Sequence, residues 1–176
     1  MKIIRSNPWG FGIHSPFVYQ LVTKVIFGKT DLSSAYFSLP GEIKSLNKRR
    51  IYQIIRLIRF FHPDEIIFTN VDESIKRIIR DKFRDDNVQK AEKYRASGFY
   101  QKFFVGCDPS DPVKQIGEGS VLYFPDLKAM GCKDLFLTLQ NDPQITVTIE
   151  VNHTGLVIAN RNYQKQNFYI RRWFCL

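Results

Sequence analysis

Thr69, Asn70, Asp72 and Glu73 stand where an apolar strand hands over to a helix, the place where an open α/β sheet binds its ligands. Glu65-Ile66-Ile67-Phe68 leads into them and a helical pattern starting at Asp72 follows. Nucleotide-type cofactors ask for glycine in such a turn, because bare backbone can approach them without a Cβ clash. This turn has no glycine and carries two acids. Asn70 and Glu73, three apart, match a capping box with Asn70 as the cap. Asp72 and Glu73 then hold the positive end of the helix, where a ligand's anionic group would otherwise sit. The chemistry predicted here is structural.

A second set of residues is basic. Arg49, Arg50, Arg56 and Arg59 lie on one helical segment, and Arg161, Lys165, Arg171 and Arg172 lie near the C-terminus among Tyr163, Tyr169 and Trp173. Cations mixed with aromatic rings suit single-stranded nucleic acid, through phosphate contacts and stacking. They equally suit the solvated side of a core helix and ordinary sheet packing. The net charge of +9 widens the case to other anionic macromolecules, and solubility alone would also account for it.

Other candidates are weaker. Asp108, Asp111 and Glu118 lack the spacing of a calcium loop. His14 has no second His or Cys placed to join it. Cys107, Cys132 and Cys175 are odd in number and widely spaced, and read as reduced thiols of a cytoplasmic protein. No Ser/His/Asp, Cys/His or paired-carboxylate set can be assembled, so no catalytic residue and no metal site is assigned.

These side chains need elements to hold them. At 176 residues and 44% hydrophobic, one domain is expected, with 1–47 as an N-terminal helical cap and 48–176 as an α/β core. Ser15 and Pro16 open a first helix and Gly28 stops it, with Phe17, Val18, Leu21, Val22, Val25 and Ile26 as its buried stripe. Residues 29–47 are turn-rich. A second helix spans Lys48 to Phe61 and ends at His62-Pro63. The strand Glu65–Phe68 and the helix Asp72–Phe83 follow, and residues 84–98 are polar with no strand pattern.

Strands are next expected at Phe99–Gly106 and Ser120–Phe124, with a short helix opening at Pro112 between them. A helix near Lys133–Gln140 comes after. The C-terminal part reads as β: Ile145–Val151, a turn at Asn152-His153-Thr154-Gly155, Leu156–Ala159, and a last strand over Asn167–Trp173. The N-terminus breaks at Pro8 before any signal-peptide core, and no apolar run approaches the roughly 18 residues of a membrane span.

Three stretches together resemble the class I S-adenosylmethionine-dependent methyltransferase-like proteins of Bacteroidetes-type bacteria. Gly10-Phe11-Gly12-Ile13-His14-Ser15-Pro16-Phe17-Val18 is similar to the family's G-x-G-V-H-S-P-F-V opening. Arg49 to Ile67 resembles its R-L-x-R-x-F-x-P helix leading into the first strand. Thr146-Val147-Thr148-Ile149-Glu150, Gly155-Leu156-Val157-Ile158 and Gln166-Asn167-Phe168-Tyr169-Ile170-Arg171 resemble its closing strands. The resemblance implies a reduced Rossmann-like sheet flanked by helices, with antiparallel C-terminal strands.

The departures bear on the cofactor. Phe68 stands where the family's first strand ends in an acid, and Asn70 replaces the first glycine of its loop. No strand supplies the acid that would hold the ribose hydroxyls. In Phe124-Pro125-Asp126-Leu127, similar to the family's F-D-D-I, Pro125 takes the place of the first acid and only Asp126 remains. The expectation is a chain that has lost S-adenosylmethionine binding and acts as a binding or scaffold module, with no cofactor. The alternative is an active methyltransferase with an atypical loop, whose cofactor contacts would be Thr69, Asn70 and Asp126. Anion contacts would come from Arg49, Arg50, Arg56, Arg59, Arg171 and Arg172, with nucleic acid or a second copy of the chain among the partners.

Overall fold

A computed structural model of the chain describes residues 3–6, 12–28, 45–84, 100–107 and 116–170. Seven strands form one sheet: β1 (Ile3–Ser6), β2 (Glu65–Thr69), β3 (Lys102–Gly106), β4 (Ser120–Phe124), β5 (Val147–Val151), β6 (Thr154–Ala159) and β7 (Gln166–Ile170). Their order is β1-β7-β5-β6-β4-β3-β2. Every pairing is parallel except those of β6, which runs antiparallel between β4 and β5. The carboxyl ends of six strands therefore share one edge. Strands covered on both faces must be apolar throughout, and β4 meets that demand with Val121-Leu122-Tyr123-Phe124, all buried.

Helix α1 (Pro16–Gln20) starts as expected, with the Ser15 hydroxyl accepting from the Val18 amide at 3.4 Å. It then widens into a π-helix over Leu21–Ile26, a register the apolar spacing did not reveal. Arg56 donates from Nη2 to the Lys24 carbonyl at 2.6 Å at that helix end. Gly28 passes so close that a Cβ there would lie 2.2 Å from the same carbonyl oxygen.

Helix α2 (Ser45–Phe61) begins before the expected Lys48 and ends where Pro63 requires, with His62 at φ 48°. Helices α3 (Glu73–Arg84) and α4 (Cys132–Asn141) follow among the described residues. The α1–π segment, α2 and α3 cover one face of the sheet, against Phe103, Val105, Val121, Tyr123, Ile149 and Ile158. Among the described helices α4 covers the other, where Phe136 and Leu139 pack on Phe104, Leu122, Phe124 and Val157.

The chain is thus an α/β protein with a mixed sheet flanked by helices. Two expectations about it need correction. Ile3–Ser6, assigned to a helical cap, pairs with β7 as an edge strand. The last strand does not extend an antiparallel set, since β7 lies parallel to β5. The hairpin itself is β5–β6, closed by Asn152 and His153 with Asn152 at φ 54°. Expectations for 29–44, 85–99, 108–115 and 171–176 lie outside the described residues.

Candidate functional site

The carboxyl ends of β2 and β3 meet as Thr69 beside Gly106. Asn70 takes φ 51°, the left-handed turn that glycine takes in a cofactor loop. Asparagine tolerates this conformation, but it brings a Cβ and an amide. That amide donates from Nδ2 to the Cys107 carbonyl at 3.2 Å and so ties the two strand ends together. Gly106, at φ 105°, has no room for a side chain: a Cβ would stand 1.9 Å from the Thr69 carbonyl and 2.9 Å from Val71 Cγ2.

Asp72, not Asn70, caps α3. Its carboxylate accepts the Ser74 amide at 2.8 Å and the Ser74 hydroxyl, and its carbonyl takes the first helical bond from Lys76. The capping-box expectation is two residues off because Asn70 is used by the strand turn. Hydrogen bonds from the Ser74 side chain and then its amide hold the Asp72 carboxyl below its usual pKa. Glu73 lies in the first turn and pairs with Lys76. Protein carboxylates do occupy this helix end.

The third corner lies beyond β4. Asp126 accepts from Arg50 Nη2 at 2.6 Å and from the Lys128 amide at 2.9 Å. Burial pushes the Asp126 pKa up, but the Lys128 amide, the Arg50 guanidinium and the charge of His153 together carry it below the usual value. Beneath the pair, the Tyr123 hydroxyl donates to Gln53 Oε1 at 3.0 Å. Tyr123 is 1% exposed, and burial raises its pKa far above the ordinary phenol value. The Leu127 amide donates to the His153 carbonyl at 2.6 Å, so the loop after β4 is also tied to the β5–β6 turn.

Cys107 and Cys132 are paired as a disulfide, with Cα atoms 5.9 Å apart. This corrects the expectation of reduced thiols for these two of the three cysteines. Their spacing of 25 in sequence hid that β3 ends, and α4 begins, at the same edge of the sheet. Cys175 lies outside the described residues.

The described members of the basic set do not form one surface. Arg49 is exposed, but Arg50 is engaged by Asp126. Arg56 and Arg59 are only 6% and 8% exposed, packed inside the helical layer rather than on its solvated side. Arg56 also stacks over the Tyr52 ring at 5.8 Å. Arg161 pairs with Glu118 at 3.5 Å, and Lys165 donates to the Asp142 carbonyl. Tyr163 stacks on Phe17 at 4.3 Å, as core rather than as a base-stacking platform. Arg171, Arg172 and Trp173 lie outside the described residues, as do Asp108 and Asp111. Among the described residues no group of three or more His, Cys, Asp or Glu is placed to hold a metal ion. No helix among them is long and apolar enough to cross a membrane.

Sequence reasoning missed one polar element altogether. Thr148 of β5 donates to Asn167 Oδ1 of β7 at 2.6 Å and accepts from Gln140 Nε2 of α4 at 3.1 Å, all three buried. Beside it Lys133 pairs with Glu150 at 2.7 Å. The alternating threonines at 146 and 148 were the only signal of this polar stripe.

Comparison of the chain with models of protein families, with curated proteins and with solved structures finds no significant match to any of them.

Proposed function

We propose that this chain is a reduced class I methyltransferase-like protein whose cofactor crevice is closed by its own side chains, and that it works as a binding or scaffold module. The observation that carries the reading is the Arg50–Asp126 pair. Asp126 is the acid that the resemblance leaves for a cofactor, and its carboxylate is already taken. At the neighbouring corner the Asn70 amide is engaged by the Cys107 carbonyl. On this reading the polar groups that S-adenosylmethionine would need are already engaged within the chain.

Thermal melts with S-adenosylmethionine or S-adenosylhomocysteine test the reading. A ligand at 100 times its Kd adds about 2.7 kcal/mol to a protein that binds it. The reading expects an unchanged melting temperature with both compounds. A saturating rise with either would overturn it.

A further inference from the structure

We propose that Cys107 and Cys132 form a two-electron redox clasp, opened by a dithiol reductant, that fixes the loop carrying Asp126. Residues 125–131 run from the end of β4 to the start of α4. Besides the packing of Leu127 in the core, three bonds anchor this loop, each to a different element. Asp126 is bound by Arg50 of α2, the Leu127 amide donates to His153 of the β5–β6 turn, and Cys132 is bonded to Cys107 past β3. Two of the anchors are hydrogen bonds at a partly exposed edge. The covalent one alone can be removed and restored by chemistry.

The two sulfurs are not equivalent. Cys107 is partly exposed, whereas Cys132 is 4% exposed and occupies the first position of α4. A helix N-terminus stabilises a thiolate, which makes Cys132 the better leaving group. A reductant thiolate attacks the Cys107 sulfur, the Cys107–Cys132 bond breaks, and Cys132 leaves as a thiolate that is then protonated. The second thiol of the reductant attacks its own sulfur in the mixed disulfide and frees Cys107. The protein gains two electrons and two protons, and the reductant is oxidised to its disulfide. With the covalent anchor gone, the loop is held by Arg50, the His153 carbonyl and the packing of Leu127. Opening events that break both then become more frequent. The same pair also fastens the carbonyl to which Asn70 donates, so both corners of the closed crevice respond together.

The test uses the full chain. Alkylation followed by peptide mapping, before and after equilibration with dithiothreitol under native conditions, should show a Cys107–Cys132 linked peptide replaced by two alkylated thiols. Hydrogen exchange should then show the Leu127 and Lys128 amides exchanging about tenfold faster in the reduced protein, with the β4 amides unchanged. The variant carrying Cys107→Ser and Cys132→Ser should exchange at the reduced rate and ignore the reductant. Should that variant not fold, the wild-type comparison decides alone. Free thiols in the untreated protein would overturn the proposal. So would a bond that yields to dithiothreitol only in denaturant, and so would a reduced protein whose Leu127 and Lys128 exchange is unchanged.

Discussion

Arg50 of α2 donates to Asp126 at the end of β4 across 2.6 Å, joining residues 76 positions apart and cancelling two charges that a ligand would otherwise meet. Both side chains are about one-quarter to one-third exposed, at 26% and 34%. Partial exposure keeps the pair's worth modest, about 1 kcal/mol. Asp126 also holds the Lys128 amide, so the carboxylate matters to the loop as well as to the arginine. Asp126→Ala should lower the melting temperature by about 3–6 °C. Arg50→Gln should cost less than Asp126→Ala. The order of the two melting temperatures checks the assignment.

The pair also sets a pH dependence. The folded-state pKa of Asp126 lies below its ordinary value. Its contribution is therefore complete above the unfolded-state pKa and is lost as pH falls through the folded-state one. Urea midpoints measured from about pH 6 down to about pH 3 should converge for wild type and Asp126→Asn at the acid end. A constant gap across that range would show that the carboxylate charge plays no part.

At the β2–β3 corner the two residues with left-handed backbone should respond in opposite ways. Gly106→Ala forces a Cβ against the Thr69 carbonyl at φ 105° and should cost about 3 kcal/mol or more. Asn70→Gly relieves φ 51° while losing one exposed hydrogen bond, so its net cost should stay within about 0.5 kcal/mol. Asn70→Ala has no such relief and should cost about 1 kcal/mol. Denaturant unfolding of the three variants provides the comparison.

Much of the frame was legible from residue types alone. Ser120–Phe124 was read with its observed bounds because a fully buried strand needs an unbroken apolar run. Ser15-Pro16 and His62-Pro63 marked helix ends because proline acts locally. The site was legible only in part. Asp126 and Arg50 were each singled out for chemistry, but their pairing depends on α2 crossing the end of β4, which no local pattern encodes. Arg56 and Arg59 misled for a related reason. Charge at helical spacing marks a solvated side only when one side of the helix is free, and α2 is enclosed by the sheet, α3 and the α1–π segment. β7 was misread as antiparallel because strand direction is set by the connection after β6, not by the strand's own residues.

The buried polar stripe makes a further prediction. Thr148→Val removes both the donor to Asn167 and the acceptor for Gln140, stranding two buried amides. It should cost about 2–3 kcal/mol despite being nearly isosteric. Adding Asn167→Leu should recover part of that loss, because one unsatisfied group disappears with it. A double variant that is worse than the sum of its parts would contradict the network.

The anionic-partner reading narrows to Arg49 among the arginines of α2. Arg49→Ala should shift elution from a phosphate resin and leave stability within about 0.5 kcal/mol. Arg56→Met should do the reverse, lowering stability by about 2 kcal/mol with little change in elution, since Arg56 is buried against the Lys24 carbonyl. Equal elution shifts from the two variants would refute the division.

Calorimetric titration of the purified chain with S-adenosylmethionine asks most directly whether the hollow between Asn70 and Asp126 has been filled from within. The account predicts only the heat of dilution, for the wild type and for the Asn70→Gly variant alike. A saturable isotherm with one site per chain, weakened by substitution at Asn70 or Asp126, would contradict it.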